Sequence, residues 1–276
     1  MKRIVTIQDI SCLGKCSLTV ALPVISAMGV EASIIPTAVL STHTSFQGVT
    51  YRDLTEDILP IVNHWKQERF SFDAIYTGYL GSAEQVDIVI QVMKELGEGK
   101  VKLVDPVMGD HGKLYSGFDD TFVKKCRKLC RHADIILPNI TEAALLTEME
   151  YRETYDEEYI RRLLEGMAAL GCSMAVLTGV SFRESEIGVV GYDKREGRFF
   201  QYFTQCYPAA YHGTGDIFAS TVTGALMRGF DLENALKIAV DFIAEIIRIT
   251  MENPNRRSYG VDFETALPYL WERIKQ

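Results

Sequence analysis

The decapeptide YHGTGDIFAS, residues 211–220, brackets Thr214 with two glycines, follows them with Asp216, and runs directly into an apolar, helix-like segment. Glycine frees the backbone for unusual angles and lets a ligand come close. Successive N–H groups entering a helix form an anion pocket that the helix dipole reinforces. If Gly213, Thr214 and Gly215 make such a turn, Asp216 sits beside the bound anion. There it can orient a hydroxyl and accept its proton during phosphoryl transfer. The same residues also make a plain glycine turn with an acid in the first turn of a helix, and short glycine motifs recur by chance.

Other segments offer complementary chemistry. DPVMGD (105–110) places Asp105 and Asp110 around a proline and a glycine, as a tight turn would. PNITEA (138–143) supplies Asn139 and Glu142, which read equally as a capping box or as oxygen donors to Mg²⁺ through waters beside phosphates. STHTSF (41–46) and TGY (77–79) bring Ser41, Thr42, His43, Thr44, Phe46 and Tyr79. Small hydroxyls with aromatics suit a flat polar heteroaromatic ligand, although each residue also serves in turns or packing. His43 has no recognisable nucleophile partner, which disfavours a hydrolase triad. The SCLGKCS stretch lacks the first glycine of a P-loop, so Lys15 reads as an ordinary loop cation. Cys12/Cys16 and Cys126/Cys130 are each four apart without partners at zinc-finger spacing, and the second pair falls on one face of a helix. Cys12 and Cys16 read as loop cysteines rather than as a covalent trap for an aldehyde.

These residues need a frame. Short β-rich runs at 3–10, 32–39, 73–78, 101–106, 133–138 and 174–179 alternate with helical patterns at about 17–29, 54–69, 83–96, 118–131, 140–148 and 156–170. Runs at 187–193 and 199–204 around KREG predict a hairpin, and helices at about 214–228, 231–252 and 262–274 close the chain. The order predicts one α/β domain over 1–276: a three-layer α/β/α sandwich with a mostly parallel central sheet, an antiparallel edge hairpin and no separate lid domain. Ligands of such sheets sit beyond the carboxyl ends of the strands, where the polar segments above fall. A formal charge of −8 argues against nucleic acid and anionic membranes as partners. With no signal peptide, no span of 18 apolar residues and cysteine usage typical of reduced compartments, a cytoplasmic location is expected.

Taken in order, Ser11, THT (42–44), TGY (77–79), DPVMGD (105–110), PNITEA (138–143), VLTG (176–179) and GTGD (213–216) resemble the ribokinase-like superfamily, in its vitamin B6 kinase branch. The resemblance implies transfer of the ATP γ-phosphoryl group to the 5′-hydroxymethyl of pyridoxal, pyridoxamine or pyridoxine. It makes Asp216 the base and the Gly213–Gly215 turn the anion hole. Ser11, His43, Thr44 and Tyr79 become substrate contacts, and Asn139, Thr178 and Gly179 nucleotide contacts. Asp105, Asp110 and Glu142 fall in the region of metal and phosphates. Residues 204–212 and 253–260 are expected near the adenine, and 111–120, with Gly112 and Gly117, as a mobile flap. Mg²⁺, a monovalent cation such as K⁺ and a homodimer come with the resemblance. Thr42 and Leu40 stand where B6 kinases commonly carry Asn and an aromatic, leaving vitamer preference open. Hydroxymethylpyrimidine kinases of the same fold remain the alternative, with a non-catalytic vitamin- or nucleotide-binding protein behind them.

Overall fold

The computed structural model describes residues 1–209 and 211–275. Its strands are β1 (Arg3–Leu13), β2 (Glu31–Thr42), β3 (Tyr51–Asp53), β4 (Ala74–Thr77), β5 (Val101–Val104), β6 (Gly109–Asp110), β7 (Lys113–Leu114), β8 (Ile135–Ile136), β9 (Met174–Val180), β10 (Glu186–Asp193) and β11 (Arg198–Gln205). The helices are α1 (Leu18–Ala27), α2 (Thr55–Gln67), α3 (Ala83–Leu96), α4 (Asp120–Cys130), α5 (Ile140–Thr147), α6 (Glu157–Leu170), α7 (Thr214–Met227), α8 (Leu232–Glu252) and α9 (Phe263–Arg273).

Nine strands form one sheet in the order β11-β10-β9-β8-β5-β4-β1-β2-β3. The six from β9 to β2 run parallel. Alternate side chains of each strand feed opposite cores, because successive Cβ atoms point to opposite faces. Val5, Ile75, Ala175 and Leu177 pack with α2–α6, whereas Ile4, Tyr76 and Val176 pack with α1 and α7–α9. This is the three-layer architecture expected from the sequence. The predicted hairpin is β10–β11, antiparallel from Glu186↔Gln205 to Asp193↔Arg198.

The sheet goes further than the periodicity foretold at one point. β3 adds an antiparallel strand at the opposite edge, pairing Tyr51–Asp53 with Ala38–Leu40. Its three residues are all exposed and carry no alternation, so only the extension of β2 as a template creates it. Among the described residues, no helix is long and apolar enough to cross a membrane.

Hydrogen bonds step the carboxyl ends of the parallel strands into one ridge: Asp105 N–H donates to Thr77, Leu137 to Val104, and Thr178 to Pro138. The chemistry-bearing loops leave from that ridge.

Candidate active site

Helix α7 begins where Gly213, at φ 81°, turns the chain. A Cβ on Gly213 would lie 1.6 Å from the Lys15 carbonyl oxygen, so both the angle and the close approach demand glycine. Gly215 differs. A Cβ there would meet no heavy atom within 4 Å, and the turn presents open space above the first N–H groups of α7. Those groups have no intrahelical acceptor, as at any helix start. Thr214 closes the turn by donating its hydroxyl to the Tyr211 carbonyl at 3.2 Å.

A cavity of about 440 Å³ opens beside this turn. Its polar wall brings together Asp105, Asp110, Asn139, Glu142, Thr178, Gly179 and the whole GTGD turn, from segments as far apart as residues 105 and 216. Ile187, Val189, Val240 and Ile243 supply an apolar wall, with Thr204–Tyr207, Ala209, Tyr211 and His212 along the rim. Ala210, within the stretch expected near the adenine, lies outside the described residues. The 253–260 segment does not line this cavity. Gly260 packs instead against the Lys15 side chain.

Asp216 is half-buried, and burial pushes its carboxyl up to about 7. A backbone hydrogen bond from Ser17 opposes that rise, and the nearby charge of Asp9 adds to it. Asp105 is pushed well above the ordinary carboxylate range by burial, then by the charges of Glu142 and Asp216. Glu142 is raised to about 8 by burial, against backbone hydrogen bonds from Asn139, Met108 and Gly109.

The capping-box reading of Asn139 and Glu142 holds. Asn139 caps α5 by accepting from the Glu142 N–H at 2.9 Å, and Glu142 Oε2 accepts from the Asn139 N–H at 2.9 Å. Glu142 Oε1 accepts from the Met108 N–H at 3.0 Å, and Asn139 Nδ2 donates to the Gly109 carbonyl at 2.9 Å. The capping box thereby ties the DPVMGD loop to α5 and holds Glu142 beside Asp105.

Ser11, His43, Thr44 and Tyr79 do not line the cavity. Ser11 and Tyr79 gather around an acid that sequence reasoning passed over, and His43 packs beside Gly14 next to Ser11. Asp9, only 3% exposed in β1, accepts from the Ser11 hydroxyl at 3.0 Å. Burial raises its pKa, and the Ser17 and Ser11 hydroxyls oppose the rise. Tyr79 and Cys16 both feel its charge. His43 is buried with its Nε2 unpartnered among the described residues, and its ring stands 4.8 Å from that of His212 on the cavity rim. Thr44 is exposed. An acid interrupting the apolar alternation of RIVTIQDI was the available signal for Asp9.

The Cys16 thiol is pushed up to about 12, first by burial and then by Asp216, so it is not a thiolate nucleophile at neutral pH. Cys126 and Cys130 sit on the buried face of α4.

The segment expected as a flap, 111–120, begins within a two-strand hairpin, β6–β7, turned by His111 (φ 49°) and Gly112 (φ 75°), and ends at the first residue of α4. Paired positive φ angles are those of a tight hairpin turn. Gly112 N–H donates to Thr141 Oγ1 at 2.9 Å, and Tyr115 lies on the cavity wall.

A sequence model described as phosphomethylpyrimidine kinase matches residues 20–261. The chain belongs to that family. Among solved structures, a candidate phosphomethylpyrimidine kinase from Bacteroides thetaiotaomicron, crystallised in one form with pyridoxal, is 37% identical, with a TM-score of 0.92 over 98% of this chain and 95% of that one. Pyridoxal kinase from Lactobacillus plantarum is 33% identical, with a TM-score of 0.89 over 99% and 97%. The pyridoxine/pyridoxal/pyridoxamine kinase of Bordetella avium is 28% identical over 266 residues, 90% of this chain and 85% of that protein. The phosphomethylpyrimidine kinase family and these relatives match the ribokinase-like fold and the B6 kinase branch that the ordered motifs indicated.

Proposed function

We propose that this protein is a pyridoxal kinase that transfers the ATP γ-phosphoryl group to the 5′-hydroxymethyl of pyridoxal, pyridoxamine or pyridoxine. The observation that carries the reading is Asp216 at the head of α7, on the same cavity as Asp105 and Glu142 and next to the Asp9–Ser11–Tyr79 cluster. The printed activities of the Lactobacillus and Bordetella relatives, and pyridoxal in the Bacteroides crystal, support it.

In this reading ATP fills the cavity. Its base lies against Ile187, Val240 and Ile243, and its phosphates extend past Thr178, Gly179 and Asn139 to the N-terminus of α7. The vitamin ring lies on the other side of Asp216, among Ser11, His43, Thr44 and Tyr79, with Asp9 as acceptor for a ring donor. Asp216 accepts the hydroxyl proton as the oxygen–phosphorus bond forms, while the Gly213–Gly215 N–H groups hold the charge of the phosphoryl oxygens. A carboxyl near 7 is poised to take a proton at neutral pH. The β6–β7 hairpin, with Tyr115, shields the phosphates from water.

None of the described residues lining the cavity is Lys or Arg, and Asp105 and Glu142 are a buried acid pair. Such a site fits a Mg²⁺ held by Asp105 and Glu142, with Asp110 at its edge, since Mg²⁺ commonly uses one or two carboxylates plus substrate phosphates. When bound, the ion supplies charge neutralisation at the phosphates. A monovalent cation such as K⁺ belongs to the same reading. So do a single kinase unit over 1–276, a homodimer and a cytoplasmic location, supported by the resemblance and by six free cysteines.

The hydroxymethylpyrimidine/phosphomethylpyrimidine kinase of Bacillus subtilis, 28% identical over 182 residues, favours a second reading, hydroxymethylpyrimidine as the alcohol substrate. Purified protein with ATP and Mg²⁺ should be offered pyridoxal, pyridoxamine, pyridoxine and hydroxymethylpyrimidine separately, with monophosphates detected by mass spectrometry. The highest kcat/KM is expected with a B6 vitamer. Turnover of hydroxymethylpyrimidine alone would establish the second reading, and no turnover at all would overturn both.

A further inference from the structure

Lys15 looked like an ordinary loop cation in the sequence. In the structure its side chain is 14% exposed, low for a lysine, and its Nζ is held by two acids: Glu264 Oε2 at 2.8 Å and Asp262 Oδ1 at 3.3 Å. Asp262 is itself fixed, accepting from Asn253 Nδ2 at 2.6 Å while its N–H donates to Thr250 Oγ1 at 2.9 Å. The Lys15 stem crosses Gly260, where an added Cβ would stand 2.5 Å from Lys15 Cβ. Its carbonyl fits under Gly213, where an added Cβ would stand 1.6 Å away. Two glycines and two acids thus enclose one lysine.

Two residues further on, Ser17 is buried with φ 48° and ψ −135°, a conformation that a residue with a Cβ adopts only under constraint. The Lys15 carbonyl against Gly213 sets this loop on the turn that opens α7, three residues before Asp216. Strain of this kind persists only where surrounding contacts over-determine it. The enclosure of Lys15 is the adjoining constraint.

We propose that Lys15 is a positioning residue for Asp216: pinned between the 260–264 segment and the Gly213 turn, it braces the β1–α1 loop against the start of α7 and so fixes where the Asp216 carboxylate stands. The proposal rests on the reading of Asp216 as the base. It acts on alignment of the base rather than on affinity for either substrate.

Steady-state kinetics on Lys15→Met, Lys15→Arg, Asp262→Asn/Glu264→Gln and Asp216→Asn tests it. Misalignment of a catalytic group costs about tenfold or more in rate, so Lys15→Met should lose that much kcat with KM for ATP and pyridoxal within about twofold. Lys15→Arg should recover most of the loss. The double variant should reproduce it with the Lys15 side chain intact, and it carries the test if Lys15→Met does not fold. A kcat within twofold of the parent in both clamp variants, a loss confined to KM, or a Lys15→Arg enzyme as slow as Lys15→Met would overturn the proposal. Turnover retained by Asp216→Asn would instead overturn the base assignment. An inactive Asp216→Asn beside normal clamp variants would overturn the positioning role alone.

Discussion

Replacing Asp216 by asparagine tests catalysis and stability with one atom exchanged. The carboxyl is pushed up to about 7 from an ordinary 3.8, chiefly by burial. At about 1.36 kcal/mol per pH unit this corresponds to at most roughly 4 kcal/mol against ionising it in the folded state. Opening toward the cavity lets solvent screen part of that, leaving about 2 kcal/mol. The sign follows from the raised value. The folded state favours the protonated acid, so stability is fully present below the unfolded value near 4 and is lost as pH rises through about 7. Asparagine titrates nowhere in this window. Urea unfolding of both proteins without ligands, at pH 5 and pH 8, should show the variant gaining on the parent by roughly 1–2 kcal/mol at the higher pH. Asp9, Asp105 and Glu142 also have raised values, but they titrate in both proteins and largely cancel. Loss of a positioned base should lower kcat by about 10²–10⁴-fold. The parent's own kcat should fall as pH drops below about 7, where the base becomes protonated. A stability gap independent of pH would refute the buried, raised carboxyl, and near-normal turnover would refute its role as base.

The two glycines of the turn should separate. Gly213→Ala, at φ 81° and with its Cβ 1.6 Å from the Lys15 carbonyl, should cost more than about 2 kcal/mol in thermal unfolding, whereas Gly215→Ala should stay within about 1 kcal/mol yet lose turnover. Asp105→Asn removes the like charge beside Glu142, so it should unfold at higher urea at pH 8 while needing about tenfold more Mg²⁺ for half-maximal activity. Asp9→Asn should raise KM for pyridoxal with KM for ATP unchanged, because Asp9 lies outside the cavity proposed for ATP; equal effects on both would count against a ring contact. Tryptic cleavage after Lys113, exposed in the β6–β7 hairpin, should slow when ATP and pyridoxal are added together, and an unchanged rate would argue against a closing flap.

Most of the frame was legible locally. Helix patterns at 54–69, 83–96 and 156–170 became α2, α3 and α6 within about two residues at each end, because amphipathic periodicity and capping are properties of neighbouring residues. The capping box of Asn139 and Glu142 was readable for the same reason. β3 was not, since three exposed residues become a strand only when a neighbour offers its edge. Asp9 was read as part of a strand, because period-2 alternation reports which face a residue occupies and not what waits there. Lys15 was misread for a related reason: its two acid partners stand 247 and 249 residues away.

The sequence by itself determined the α/β alternation, the glycine turn with its acid, and the ordered motifs that name the kinase family. The tertiary structure decided which acids meet. Sheet order sets β5, β4 and β1 side by side, so loops distant in sequence leave one ridge and bring Asp105, Glu142, Asp216 and Asp9 together. It also decided their chemistry, because a carboxylate's proton affinity depends on the water it loses and the charges it faces, and both are set by packing.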